Sequence, residues 1–416
     1  MTQNTKISNI PWIWEIPEDW KIQRLKSVIL RSKNWAWWDD PKWDSNDIAC
    51  IRVADFDSEN FWIDDSNLTY RNIPDCEDIL LNEGDLLLEK SWGWDLQLVW
   101  RVINYNKPFR AVTSNFLATI KIKKSSIENK FLYYLLRYFY SVNINYRSIK
   151  QTTGIQNLDS DSYFQEPIPL PPLHIQTIIA NFLDQKTEQI STLISNKKKL
   201  INLLKEQKQS IIHQAVTKGI DSSAKMKDSG IPWIGEIPED WEVVKLKYLG
   251  RIRSWDGIEN TQIKSEWDYE VYWWNGFMGY TDTYNVSEMS IIIGRVGAKC
   301  WNVRLINERK WISDNALVLS LFNSDNYNFL AQLLEIMNLN TLSVSNAQPL
   351  ITGTVVMNQF IPLPSSSVQY KIFEYVKQET SQIDFAIEKI EKEIILIEEY
   401  QTSLIYQAVT GKISIS

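Results

Sequence analysis

Glycine is scarce in this chain. It supplies 14 of 416 residues, about half of the ~7% usual in globular proteins. Histidine is rarer still, with only His174 and His213. Neither has a cysteine or carboxylate at ligand spacing, so the pattern offers no metal site. The three cysteines, Cys50, Cys76 and Cys300, are widely spaced and form no CxxC pair. They read as reduced core thiols of an intracellular protein. No apolar run approaches the ~18 residues of a membrane span. The polar start "MTQNTKISN" lacks the basic-then-apolar pattern of a signal peptide. A cytoplasmic location is the expectation.

Catalytic motifs are missing as well. The chain has no P-loop, no GxGxxG after a strand, no HExxH and no GxSxG elbow. It also lacks the Asn/Asp-Pro-Pro-aromatic segment with which an amino-methyltransferase would grip its target base. The acidic pairs Asp39-Asp40 and Asp64-Asp65 sit in polar, turn-like surroundings. These absences point to a binding or assembly component with no cofactor of its own.

What is present is a repeat. "IPWIWEIPEDW" from Ile10 recurs as "IPWIGEIPEDW" from Ile231, 221 positions later. A second pair closes each half. The segments Ile168–Thr217 and Ile361–Thr410 align without a gap at an offset of 193. The interiors between these edges show little similarity. Alike edges with unlike middles suggest one frame carrying two different readers.

Both closing segments read as long helices. Neither Leu173–Lys218 nor Ser365–Thr410 contains Gly or Pro. Pro171 and Pro172 precede the first, Pro364 precedes the second, and Gly219 and Gly411 follow them. Apolar residues recur every seven positions, as in a coiled-coil seam. The seam of the first is Leu183, Ile190, Ile194, Ile201, Leu204 and Ile211, with Lys197 in the line. That of the second is Ile383, Ile387, Ile390, Ile394, Ile397 and Leu404, flanked by Ala408. Residues 184–218 carry seven Lys and three acids, whereas 371–412 carry five Lys and eight acids. This complementarity predicts that the two helices pair within the chain. Docking flat on their own domains, or pairing with another molecule, are the alternatives.

Charge is segregated in the first interior too. Residues 51–100 hold three Lys/Arg and twelve Asp/Glu, and residues 101–150 hold ten and one. The basic window includes "KFLYYLLRYFYSVNINYRSIK". It reads either as an amphipathic helix burying Phe131, Tyr134, Leu135 and Tyr138, or as a cationic face for phosphates. The interiors are mixed α/β, with strand-like segments at "CIRVADF", "DILLNEGDLLLEK", "LVWRVINY" and "FLATIKIK", then "SIIIGRVGAKCWNVRLI" and "NALVLSLF".

The repeated phrase and the tails ending in "QAVTKG" and "QAVTGK" resemble the duplicated conserved segments of type I restriction-modification specificity subunits. "IRVADFD", "EGDLLLEKS" and "NGFMGYTDTYN" resemble parts of that family's recognition domains. The resemblance implies an α+β chain with two mixed α/β target recognition domains. Two long helices in an antiparallel coiled coil join them as a pseudo-two-fold tandem repeat. The expected division is 1–160 and 223–355 for the domains, and 161–222 and 356–416 for the helices. Each domain would read one half of a split, asymmetric site in double-stranded DNA. The helices would set the unread spacer and dock two methyltransferase subunits, with translocating nuclease subunits completing the complex. S-adenosylmethionine, ATP and Mg²⁺ would belong to those partners, and this chain would be non-catalytic. The other reading is a coiled-coil assembly scaffold without DNA recognition.

Helices of ~60 Å, at 1.5 Å per residue, limit the centre-to-centre separation to under about 20 base pairs. Candidate DNA contacts are Lys107, Arg110, Lys121, Lys123, Arg147 and Lys150 in the first domain, and Arg253, Lys264, Arg295 and Lys299 in the second. For any one of these, phosphate is a commoner target than a base edge.

The glycine deficit has a counterpart in 19 tryptophans. Trp14 stands where the second copy of the phrase has Gly235. The resemblance implies glycine also at turn-like positions held here by Trp35, Trp37, Trp38, Trp43, Trp92, Trp94, Trp100, Trp255, Trp267, Trp273, Trp274 and Trp301. Glycine there would supply positive φ and close approach to DNA. The expectation is a codon read as glycine in the source lineage and rendered as tryptophan. The alternative is aromatic enrichment for stacking on bases. Trp12, Trp20, Trp233 and Trp241 match in both copies and belong to the frame.

Overall fold

The computed structural model describes residues 4–415 except 34–38, 58–60, 75, 92–98, 100, 153–154, 256, 267, 274–275, 296–301, 338 and 340–349. It divides into two units. Unit 1 comprises residues 1–197 and 392–416, and unit 2 comprises residues 198–391.

The two larger sheets of unit 1 are built from seven short strands: β1 (Ile29–Lys33), β2 (Asp47–Ile51), β3 (Thr69–Asn72), β4 (Leu86–Glu89), β5 (Val102–Asn104), β6 (Ala111–Thr113) and β7 (Leu117–Ile122). Helix α1 (Asn129–Ser141) follows, and then, after a short helical turn at Ser160–Tyr163, the long helix α2 (Leu173–Lys218). A four-stranded antiparallel sheet has the order β5-β4-β7-β1. A three-stranded sheet has the order β6-β2-β3, with β6 parallel to β2 and β3 antiparallel to it. Alternation along β4 explains why two cores flank the larger sheet. Leu86 and Leu88 pack with α1 through Phe131, Leu135 and Phe139. Leu87 faces the opposite way, into a core with Ala49, Ile51, Ile103 and Leu117.

Unit 2 repeats this frame. Its strands are β8 (Gly250–Ser254), β9 (Tyr269–Trp273), β10 (Gly276–Thr281), β11 (Ser290–Gly294), β12 (Val303–Ile306), β13 (Trp311–Ile312) and β14 (Ala316–Leu321). Helix α3 (Tyr327–Ile336) takes the place of α1, and α4 (Ser366–Val409) is the second long helix. The sheet orders are β12-β11-β14-β8 and β13-β9-β10, again with one parallel pair, β13 and β9. The two interiors therefore share one topology that their sequences do not display. One local difference is an extra residue, Leu30, in a bulge of β1 where Ile122 pairs with Ile29 but Lys121 with Arg31.

The basic aromatic window resolves into a core helix. Phe131, Tyr134, Leu135 and Tyr138 of α1 are all buried. Glu128 caps its first turn by accepting from the Phe131 N–H at 2.6 Å. Of "DILLNEGDLLLEK", only Leu86–Glu89 is a strand; Ile79 lies in a turn closed by its N–H on the Cys76 carbonyl at 2.9 Å. Cys50 and Cys76 are buried free thiols, and burial pushes Cys50 up to about 11. Cys300 lies outside the described residues.

The repeated phrase anchors helix ends. In unit 2, Gly219 just past α2 has φ +75°, and a Cβ there would meet Trp241 at 3.3 Å. In unit 1, Gly411 past α4 has φ +72°, and a Cβ would meet Pro17 at 2.5 Å and Trp20 at 3.0 Å. Pro17 and Trp20 correspond to Pro238 and Trp241 in the two copies. Each phrase is thus the seat for the end of a long helix.

The copies part at the one residue that differs. Gly235 adopts φ +72° and closes a turn through its N–H on the Ile231 carbonyl at 3.0 Å. Trp14 is instead extended, inside a strand Ile13–Pro17 that pairs with Thr5–Ile10. A side chain with a Cβ disfavours the left-handed region, so the backbone takes another path.

Candidate nucleic-acid interface

The long helices pair antiparallel within each unit. In unit 1, Lys197 of α2 meets Glu393 of α4 at 2.7 Å. In unit 2, Lys208 meets Asp384 at 2.7 Å. Moving forward along α2 from Lys197 to Lys208 moves backward along α4 from Glu393 to Asp384, as antiparallel pairing requires. Each contact joins a lysine of the basic helix to a carboxylate of the acidic one.

The apolar seam lies beneath these pairs. Leu183, Ile190, Ile201, Ile383, Ile394 and Leu404 are buried, and Ile194, Leu204, Ile211, Ile387, Ile390 and Ile397 are half-buried. In unit 1 the seam merges with the domain core. Leu183, Ile190, Leu404 and Ala408 share a cluster with α1. Arg137 of α1 reaches Gln401 of α4 at 3.0 Å, and Tyr138 stacks on Tyr406 with ring centroids 5.1 Å apart. The pairing and docking readings of the helices are thus both realised. The described helices leave other apolar residues exposed: Leu193, Ile395, Leu396 and Tyr400 in unit 1, and Leu200, Leu203 and Phe385 in unit 2.

Most first-domain candidate cations are engaged by acids. Lys107 pairs with Asp65 at 3.0 Å, Arg110 with Glu77 at 2.8 Å, and Lys121 with Asp85. Lys150 pairs with Asp159 at 2.8 Å, and this contact raises the lysine and lowers the carboxyl from their ordinary values. Arg147 lies 3.8 Å from Glu166; burial raises that carboxyl against the pull of the guanidinium. Lys123 donates to the Ser27 carbonyl at 2.8 Å. The acidic window and the basic window of the sequence therefore supply much of each other's charge.

In unit 2, Arg253 is exposed on β8. Lys264 is exposed, and its backbone bridges Tyr280 through bonds of 2.9 and 3.0 Å. Arg295, half-buried at the end of β11, donates from a terminal guanidinium nitrogen to Ser254 Oγ at 3.3 Å. Lys299 lies outside the described residues. The nine described candidates are distributed over both units.

Two features escaped sequence reasoning. Glu89 and Arg101 form a buried pair, with Arg101 Nε donating to the carboxylate at 2.8 Å. Lys90, at the end of β4, is half-buried, and burial lowers its pKa. The phrase "EGDLLLEKS" holds both Glu89 and Lys90, but nothing in it distinguishes the core acid from the cation at the strand end.

Among the described residues no cluster of three His, Cys, Asp or Glu could hold a metal ion. None of their helices is long and apolar enough to cross a membrane.

Comparison with known proteins gives a consistent result. The family model described as the type I restriction modification DNA specificity domain matches twice, over residues 17–205 and 238–396. The type I restriction enzyme MjaVIII specificity subunit of Methanocaldococcus jannaschii is 26% identical, across 96% of this chain and 94% of that protein. The putative type I restriction enzyme MjaX specificity subunit of the same organism is 32% identical, across 56% of this chain and 53% of that one. Among solved structures, a chain from work on complex assembly and conformational transition of the type I R-M system shares the fold. It aligns with a TM-score of 0.70 and 16% identity, over 96% of this chain and 100% of that one.

Proposed function

The chain belongs to the family of type I restriction-modification DNA specificity subunits, and from that premise we propose how its two units divide the reading of DNA. It is a non-catalytic specificity subunit that works in assembly with other subunits and DNA. The observation that carries the proposal is the doubled seven-strand frame built from unlike sequences. Two different readers on one frame suit a target in two unlike halves, so the site is split and asymmetric. We assign recognition to 1–160 and 223–355 and the spacer role to the helices at 161–222 and 356–416.

The helix pair acts as the ruler between the halves. Exposed apolar residues on both units, Leu193 and Leu396 in one and Leu203 and Phe385 in the other, offer two docking faces. Two methyltransferase subunits fit that number. Translocating nuclease subunits then complete a cytoplasmic complex. S-adenosylmethionine, ATP and Mg²⁺ are supplied by those partners.

The net charge of −7 makes the isolated chain a poor ligand for a polyanion. A mobility-shift titration tests this. The chain with its methyltransferase is expected to bind duplex DNA with an affinity that falls steeply as salt rises, and the chain alone only weakly. A complex that assembles yet has no salt-dependent DNA affinity would instead support a scaffold without recognition.

A further inference from the structure

The two frames correspond bond by bond, which reveals matched positions that the sequences hide. In unit 1 the Lys90 N–H donates to the Phe116 carbonyl at 3.0 Å, and the Lys90 carbonyl accepts from the Leu158 N–H at 2.7 Å. In unit 2 the Arg295 N–H donates to the Asn315 carbonyl at 3.0 Å, and the Arg295 carbonyl accepts from the Ile351 N–H at 2.9 Å. Ser114 and Ser313 match in the same way. Their N–H groups donate to Ile51 and Tyr272, and their carbonyls accept from Leu117 and Ala316.

Lys90 and Arg295 are therefore the same position, the first residue past β4 or β11. Lys33 and Arg253 also correspond, opposite Thr119 and Val318 on the central strands β7 and β14. That end of each larger sheet thus carries a cation at a matched position, Lys90 in one unit and Arg295 in the other. The interiors diverge almost everywhere else, yet this charge is kept at one end of both.

Among the described residues, the same end also holds buried polar atoms with no hydrogen-bond partner. In unit 1 these are Ser114 Oγ and Gln156 Oε1, on residues 4% and 3% exposed. Ser114 is two residues from Phe116 and Gln156 two from Leu158, which are the residues that hold the Lys90 backbone. In unit 2 it is Arg295 Nε, while another nitrogen of the same guanidinium donates to Ser254 Oγ. Buried polar groups are normally satisfied. Such atoms stand beside the matched cation in both frames.

We propose that Lys90 and Arg295 are matched base-reading residues, each contacting a guanine edge in one half of the split target. Guanine presents two acceptors, O6 and N7, in the major groove, and lysine and arginine are its usual partners there. This inference rests on the reading of the chain as a two-half DNA reader.

The test is a genome-wide methylation map of a host carrying the chain with its methyltransferase, for the unaltered chain and for K90Q, R295Q, K90R and R295K. An unaltered chain that yields no split motif defeats the functional reading itself. Given a split motif, K90Q is expected to relax one G·C position in one half by about tenfold or more in discrimination. R295Q is expected to relax one G·C position in the other half. An unchanged motif, a uniform loss of methylation at every site with the motif intact, or relaxation of both halves by one substitution overturns the proposal. Where a glutamine variant abolishes methylation, the conservative exchange decides. A motif relaxed at one G·C pair supports the assignment, and an unaltered motif overturns it.

Discussion

At the residue scale, backbone strain and buried charge set the clearest expectations. Trp43 is 87% exposed and holds φ +61°. A left-handed conformation costs an L-residue about 1–2 kcal/mol, and an exposed indole recovers none of that through packing. Trp43→Gly is expected to raise stability by about 1 kcal/mol in urea denaturation; a loss of stability would show that the indole has a structural role. The wider glycine hypothesis has its own check. Protein purified from the source organism should be lighter by thirteen Trp-to-Gly differences, and UGG codons at those positions would end the idea. Trp35, Trp37, Trp38, Trp92, Trp94, Trp100, Trp267, Trp274 and Trp301 lie outside the described residues. Trp255 and Trp273 are half-buried.

Lys310 supplies a pH expectation in unit 2. It contacts Glu270, lies 3.3 Å from Glu308, and sits 5.1 Å from the Tyr272 ring centroid. Burial alone would lower its pKa, but the bonds to Glu270 and Glu308 outweigh this and raise it. The hydrogen bond from Lys310 lowers the Glu270 carboxyl below its ordinary value. A depressed carboxyl gives stability that is present above the unfolded-state value, about 4.3 for Glu, and lost as pH falls through the folded one. Lys310→Met is therefore expected to flatten the acid limb of a stability-versus-pH curve. An acid limb of unchanged slope would remove the pair from the account.

At the element scale, the helix pair is the most legible part of the sequence. A stretch free of glycine and proline, with a seven-residue apolar repeat, marks a long helix whatever surrounds it. Helix α2 spans Leu173–Lys218, the stretch bounded by Pro172 and Gly219. The strands were less legible. Most have only three to six residues, too few for periodicity to separate them from a buried turn. Ile79 and Leu80 show the ambiguity, as apolar residues outside any strand. Cation roles were hidden because their partners are distant in sequence: Asp65 for Lys107, and Asp85 for Lys121. Charge counted in windows cannot show that such groups meet. The shared topology was hidden for a similar reason, since strand order depends on pairing and not on residue identity.

The helix register can be checked by charge exchange. Lys208→Glu faces Asp384 with a like charge and is expected to destabilise unit 2 by about 0.5–1 kcal/mol. The added exchange Asp384→Lys should recover most of that loss, measured as a double-mutant cycle. Non-additivity near zero would mean the two side chains do not meet in solution. In the seam, Leu183→Ala empties a fully buried site and is expected to cost about 2–5 kcal/mol. A calorimetric shift of the unit 1 transition is the readout.

At the scale of the whole molecule, each repeated edge has a mechanical task. The phrase around Trp20 seats the end of α4, and the phrase around Trp241 seats the end of α2. The helix that leaves one interior thus ends on the phrase that opens the next, and the last helix returns to the first phrase. These edges stay alike because both do the same work. The proposed function accounts for the divergence of the interiors, since each would meet a different stretch of DNA.

The central claim is that one chain reads two unlike half-sites at a fixed interval. Base-resolution mapping of methylated sites in a host given this chain and its methyltransferase tests it most directly. The account expects a single motif with two specified segments, unlike one another, separated by a constant run of unspecified bases. An uninterrupted motif, or a palindromic one with identical halves, would contradict it.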